Sequence, residues 1–489
     1  MKKILRKYIY IFMITVSFVS LSSGILSKAY AATVPGSNSS WQSATNLPQV
    51  VNKSTSVNYH GFIYSIGGEG SSSNNLTNIA PIAGDGSLGA WTTSPKLLPA
   101  GIAWHASVIV KNYIYAMGGN GASSGIVDTV YYTSVNSDGS INDWKLATNL
   151  PQALYGSSAV TFNNYIYMIG GWNSSVFSSD TVYYTSVNSD GSIDSWKTAT
   201  HLPVSLSDIG STQSNGYIYV AGGVNNVSGM TYSDKVYYSK INSDGSIGDW
   251  NASTHNLPLS LFFPQIQAYH GYIFSVGGFS DSTGTIASVY SAPLSTDGSI
   301  GDWTVSPNPL PKPISHSTSS VYNGVMYLIG GSTNTGFSAL DNVYYSTLAG
   351  YDAPILQSIT SSLAFGSSNT FDVFSQATNN PNQQSLTITS SPSHGSVSTS
   401  NGTITYTANA GYAGSDSFSY SLCSIFDSTN CSQATITLNI TKSSISIAPK
   451  TGFGIIDSNN TTNKITYLGL TSFSFLGLGF IVRRKSGKI

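Results

Sequence analysis

Tyr165-Ile166-Tyr167-Met168-Ile169-Gly170-Gly171 decides the fold, because an aromatic and aliphatic run that stops at a double glycine occurs six times in the chain. The pairs are Gly67-Gly68, Gly118-Gly119, Gly170-Gly171, Gly222-Gly223, Gly277-Gly278 and Gly330-Gly331, separated by 51, 52, 52, 55 and 53 residues. Alternation with a period of two and a content of Tyr, Ile and Val predict a β-strand. The double glycine lets the chain turn where a side chain would collide near a crowded axis. Six occurrences at so even an interval make a repeat architecture.

A second series runs out of phase with the first: Trp41, Trp91, Trp144, Trp196, Trp250 and Trp303, each followed within several residues by Leu-Pro. Between the two signals lies a Val-Tyr-Tyr strand, and ahead of the glycine run lies another short strand, so each unit reads as four strands. The third and fourth strands are joined by Asn-Ser-Asp-Gly-Ser-Ile at 136–141, 188–193 and 242–247, with variants at 84–88 and 296–300. Asp-Gly between strands is a hairpin signal. A calcium loop would want acidic ligands where Ser134 and Lys145 stand, so no metal is expected there. Trp41 begins the series as an orphan fourth strand, while the last unit has three strands through Val343-Tyr344-Tyr345. The first strand is therefore expected to complete the last unit and close a ring, which removes exposed sheet edges.

These repeats resemble the kelch family, in which a strand ending in Gly-Gly, a Tyr strand and a Trp build one blade of a β-propeller. The resemblance covers residues 38–350 and implies an all-β fold with a six-bladed kelch β-propeller. It also implies a binding face. The loops between second and third strands, and between one unit and the next, emerge on one side of such a ring. Here they carry Trp104, His105, Tyr155, Trp172, Phe177, Tyr232, Phe262, Phe263, Phe279 and Phe337. Rings interspersed with Asn, Ser and Asp suit stacking on sugar faces, and they suit a protein surface as well. The expected partner is thus an extracellular glycan or surface protein.

Composition excludes other classes. Only 8% of residues are charged and Arg occurs only as Arg6, Arg483 and Arg484, so no basic face exists for nucleic acid. A copper oxidase of the galactose-oxidase type needs a cysteine in the propeller, and a sialidase or sialic-acid mutarotase needs arginine for the carboxylate; residues 38–350 hold neither. A glycosidase needs paired carboxylates, and Glu69, Asp208 and Asp281 fall in separate blades. His105 and His316 lie on approaches to first strands without evident companions. Catalysis is not expected, and no cofactor is. A carbohydrate-active enzyme and a structural surface-layer component remain the alternatives to a binding protein.

The ends of the chain point to export. Residues 1–31 combine Lys2, Lys3, Arg6 and Lys7 with an apolar run and Ala29-Tyr30-Ala31, the pattern of a secretory signal peptide. Residues 352–441, with alternating strands bounded by glycine turns, resemble a bacterial Ig-like or cadherin-like module and imply a small β-sandwich. Cys423 and Cys431, the chain's only cysteines, are expected to form a disulfide in an oxidising compartment. The linker 442–464 contains Pro449, Thr451 and Gly452 in Ala-Pro-Lys-Thr-Gly, similar to a sortase signal. An apolar run at 465–482 is long enough to span a membrane, and the basic tail 483–489 would stay cytoplasmic. Wall or membrane anchoring at the cell surface follows, with sortase as a possible enzyme partner.

Overall fold

A computed structural model describes residues 34–175, 177–333, 338–350, 353–378, 381–424 and 430–442. The signal segment, Pro449, Thr451, Gly452 and the apolar run 465–482 lie outside the described residues. Among the described residues, no helix is long and apolar enough to cross a membrane.

Each glycine-terminated run is the second strand of a four-stranded antiparallel sheet. In the third blade the order is Ser158–Phe162, Tyr165–Ile169, Val182–Ser186 and Lys197–Thr198. Six such sheets form the ring. The alternation in the second strand has a packing cause. Ile166 and Met168 face the second blade's core with Leu150 and Leu154, while Tyr167 and Ile169 face the fourth blade's Ile218 and Val220. Both faces are buried, so both are apolar, and full burial of each aliphatic side chain contributes about 1.5–3 kcal/mol.

The ring closes as the phase of the repeat implies. Gln42–Ser43 pairs antiparallel with Val343–Thr347, with Gln42 opposite Tyr345 and Ser43 opposite Tyr344. Ahead of it, Gly36 donates its N–H to Ala349 O at 2.8 Å. The tryptophans sit between blades. Trp91, Trp196, Trp250 and Trp303 each donate the indole N–H to a carbonyl of the preceding blade, at Thr45, Thr148, Thr200 and His255.

The Asp-Gly segments are hairpin turns, as expected, with Asp138 Oδ1 accepting from Ser140 N at 3.0 Å and Ser140 Oγ at 2.7 Å. They also lock neighbouring blades. Tyr64, Tyr115, Tyr167 and Tyr327 each donate the phenol to a turn carbonyl of the next blade, at Gly139, Gly191, Gly245 and Gly86. Phe274 occupies the same place in the fifth blade without a hydroxyl. Tyr167→Phe, which leaves the buried Gly245 carbonyl without this donor, is expected to destabilise the protein by about 1–2 kcal/mol in urea unfolding.

Residues after the ring form a separate β-sandwich. One sheet orders Ile359–Ala364, Cys431–Thr441, Gly414–Cys423 and Thr387–Ser390; the other orders Ser368–Asp372, Thr403–Ala408 and Gly395–Ser400. Phe371, Ile404, Tyr406, Phe418, Tyr420, Ile436 and Leu438 fill the space between. Cys423 and Cys431 lie opposite each other on adjacent strands and are joined by a disulfide. Asp416 is a structural acceptor, receiving Ser393 N, His394 N and the Tyr406 phenol. Burial alone would raise its pKa, but these donors together hold it below the usual carboxylate range.

Candidate functional site

The glycine-pair end of the ring gathers the aromatic residues. Each second-to-third loop there, in the third to fifth blades, folds into a two-stranded ribbon: Trp172–Asn173 with Phe177–Ser178, Val224–Asn225 with Thr231–Tyr232, and Phe279–Ser280 with Gly284–Thr285. The entry to the blade bridges to its own ribbon, Tyr155 to Trp172 and Phe262 to Phe279. Rings from four blades consequently touch in sequence. Phe177 meets Trp172 (centroids 5.8 Å), Trp172 meets Tyr155 (5.1 Å), Tyr155 meets Trp104 (5.5 Å) and Trp104 meets Phe263 (4.9 Å). Phe263 then meets Phe262 (4.5 Å), Phe262 meets Tyr232 (5.7 Å) and Tyr232 meets Phe279 (6.1 Å). His316 joins the array from the sixth blade, within 5.7 Å of Trp104 and 4.7 Å of Phe263.

At the centre of this array is a collar of six residues, one from each blade: Lys53, Trp104, Gly156, Asp208, Phe263 and His316. All six adopt a left-handed backbone, with φ between +52° and +63°. For Lys, Trp, Phe and His that conformation is strained, and such strain persists only where surrounding contacts impose it. The contacts are backbone hydrogen bonds that run from blade to blade. Lys53 N donates to His316 O (2.9 Å), Trp104 N to Lys53 O (2.9 Å), Gly156 N to Trp104 O (2.9 Å), Asp208 N to Gly156 O (2.6 Å) and Phe263 N to Asp208 O (3.1 Å). The collar thus holds a rigid mouth at the propeller axis.

Beneath the mouth lies a cavity of about 190 Å³, lined by the first strands. Its walls are hydroxyl-rich: Thr55 bonds Ser107 at 2.6 Å, Ser158 bonds Ser211 at 2.6 Å, and Gln267 donates to Ser319 Oγ at 3.0 Å. Charge is confined to the rim. Lys53 Nζ pairs with Glu69 at 3.0 Å and lies over the Trp104 ring, 4.6 Å from its centroid. Among the described residues, no group of three His, Cys, Asp or Glu is arranged to hold a metal.

Eight of the aromatic candidates, Trp104, Tyr155, Trp172, Phe177, Tyr232, Phe262, Phe263 and Phe279, therefore belong to one array. Phe177 is its most open member, 46% exposed. His105 does not reach the face. It is 4% exposed and turned inward, with Nε2 2.8 Å from Thr55 Oγ1, because the left-handed turn at Trp104 sends successive side chains to opposite sides. Burial lowers its pKa to about 3, and burial with the nearby Lys53 charge does the same for His316. Both imidazoles are neutral at physiological pH. Phe337 lies outside the described residues.

Asp208, which the sequence leaves as an isolated acid, sits in the collar and is 7% exposed. Burial pushes its carboxyl up to about 7, and the bond from Ser207 Oγ (3.0 Å) offsets this only in part. Lys53, Asp208 and His316 are collar residues that residue type does not flag. The signal for them is positional: each stands fourteen residues before the first glycine of its pair, as do Trp104, Gly156 and Phe263.

Architecture and site together describe a kelch-type propeller carried in one chain with a bacterial Ig domain, the family matched by residues 351–441. The particular likenesses are to kelch-like protein 23 from human and mouse, each 28% identical over 162 residues. That stretch is 33% of this chain and 26% of those proteins, so the chain spans about a quarter of the length of the curated relatives it matches. In structure the chain is similar to the protein YjhT, with a TM-score of 0.50 and 14% identity, covering 61% of this chain and 95% of that one. The last likeness concerns the fold alone.

Proposed function

We propose that this chain is a surface-displayed recognition module that binds an extracellular glycan or surface protein through the aromatic collar face, with glycan as the ligand that fits the face better. The observation that carries the reading is the convergence of rings from four blades into one array around an axial mouth. Flat rings set among neutral Asn, Ser and Thr groups offer stacking surfaces for pyranose C–H faces and hydrogen bonds for hydroxyls, with little charge to repel a neutral sugar. The Ig domain supports display on a stalk. Export and anchoring rest on the signal pattern at 1–31, the Pro449-Lys450-Thr451-Gly452 segment and the apolar run at 465–482.

A glycan array probed with the full chain and with the Trp104→Ala/Trp172→Ala double variant tests this. Retention of a defined glycan set by the wild type is expected, weakened about tenfold or more in the variant. A wild type that retains no glycan, or retention that survives the double substitution, overturns the glycan reading. A carbohydrate-active enzyme is the second reading. The Asp208 carboxyl, pushed up to about 7, favours it because general acids work best near ambient pH. Turnover of a retained glycan, lost in Asp208→Asn, would establish it.

A further inference from the structure

Five collar positions carry a side chain and Gly156 does not. A Cβ built on Gly156 would lie 2.2 Å from Asp208 Oδ1, so that oxygen occupies the space the glycine frees. Oδ2 accepts from Ser207, but Oδ1 is buried and has no hydrogen-bond partner. Among the described residues Asp208 makes no ion pair, and the collar's lysine, Lys53, pairs with Glu69. Two phenols, Tyr155 and Tyr232, feel the carboxylate's charge, and Tyr155 in turn meets Trp104 at 5.5 Å. Burial raises the pKa of the Tyr155 phenol, and the Asp208 charge adds to the rise. A buried carboxylate oxygen without a donor is disfavoured unless something completes it.

We propose that the collar selects glycans bearing a free primary ammonium, that is, de-N-acetylated amino sugars, with the ammonium bonded to Asp208 Oδ1 and the pyranose face against Trp104 and Tyr155. This rests on the glycan reading of the aromatic face. An ammonium brings three donors and a charge opposite to the carboxylate, and the surrounding ring faces attract a cation as well. An N-acetyl group has no charge and one N–H, and its methyl would press on a position the structure leaves only to a glycine. Oδ1 is closed from solvent in the free protein, so the ammonium enters by displacing a neighbouring ring.

Titration calorimetry of the full chain with a β-1,4-linked glucosamine oligomer and its N-acetylated counterpart tests the proposal. The free amine is expected to bind about tenfold more tightly or better at neutral pH. Asp208→Asn, which keeps the shape and suits a left-handed backbone, is expected to abolish the preference while melting as a folded protein. At mildly acidic pH, where the sugar amine is already protonated, binding drives Asp208 to release its proton to the buffer, so the heat should depend on the buffer's ionisation enthalpy in the wild type and not in the variant. Equal affinity for the two oligomers, or a preference that survives Asp208→Asn, overturns the proposal and leaves the aromatic face as a neutral glycan site. Failure of both oligomers while other glycans bind overturns it alone, and failure of every glycan overturns both.

Discussion

Trp41→Ala is expected to destabilise the propeller by about 3–5 kcal/mol, seen as a lower midpoint of chemical unfolding and as early proteolysis of the segment before residue 50. Trp41 is 9% exposed and packs between the fifth and sixth blades against Phe274, Leu310, Met326 and Tyr344. Its strand contributes only two ladder residues, Gln42 and Ser43, and hydrogen bonds from Gly36, Ser39 and Ala44 flank them, so the indole is the apolar anchor of the closing segment. Trp41→Phe is the control. The Trp41 indole N–H has no partner, unlike those of Trp91 or Trp250, so Phe removes no hydrogen bond and, as a smaller ring that keeps part of the packing, should cost clearly less than Ala. An Ala variant with the wild-type midpoint would show that the closing strand does not hold the ring.

Asp208→Asn is expected to do the reverse, raising the unfolding temperature by several degrees at pH 8 and leaving it nearly unchanged near pH 4. The folded carboxyl has a pKa of about 7, whereas an unfolded Asp titrates near ~3.9. Between those values the folded protein keeps a proton that the unfolded chain has released, so stability falls as pH rises through this window. The deficit is complete above about pH 7, and a shift of about three units corresponds to on the order of 4 kcal/mol. His105 and His316 act in the opposite direction. Their folded pKa values are lowered to about 3, so the unfolded chain takes up protons below ~6.5 that the folded protein refuses, and stability falls as pH drops from there. The wild-type curve mixes both slopes. Subtracting it from the variant's curve isolates Asp208, and a difference that does not grow between pH 4 and pH 8 would refute the assignment.

The blades were legible because every blade meets the same packing demand. A second strand buried on both faces has to repeat an apolar pattern such as Tyr165–Ile169, and a Trp wedged between neighbours has to recur with it. Closure was legible too, since an orphan fourth strand at Trp41 has one place to go. The role of the Asp-Gly turns was half legible. Their local chemistry announces a turn, but the bond from Tyr167 to the Gly245 carbonyl joins residues 78 apart and leaves no local trace. The collar was least legible because its members share a backbone conformation and not a chemistry. Lys, Trp, Gly, Asp, Phe and His have nothing in common as letters, and only their offset from the glycine pair reveals them. His105 misled for a related reason. It neighbours Trp104 in the chain, but the turn between them places one on the face and the other in the cavity wall.

The pairing of Gln42 with Tyr345 also sets a clock on biosynthesis. A chain made from its N-terminus has the material for five blades long before residue 347 exists, and until then the strand that finishes the ring has nothing to pair with. For that interval the growing protein is an open arc with bare strand edges at both ends, the condition in which β-proteins stick to one another. Joining partners about 300 residues apart is also a slow event. The same few residues that seal the finished molecule therefore determine how long it must be kept apart from its neighbours while it is being made.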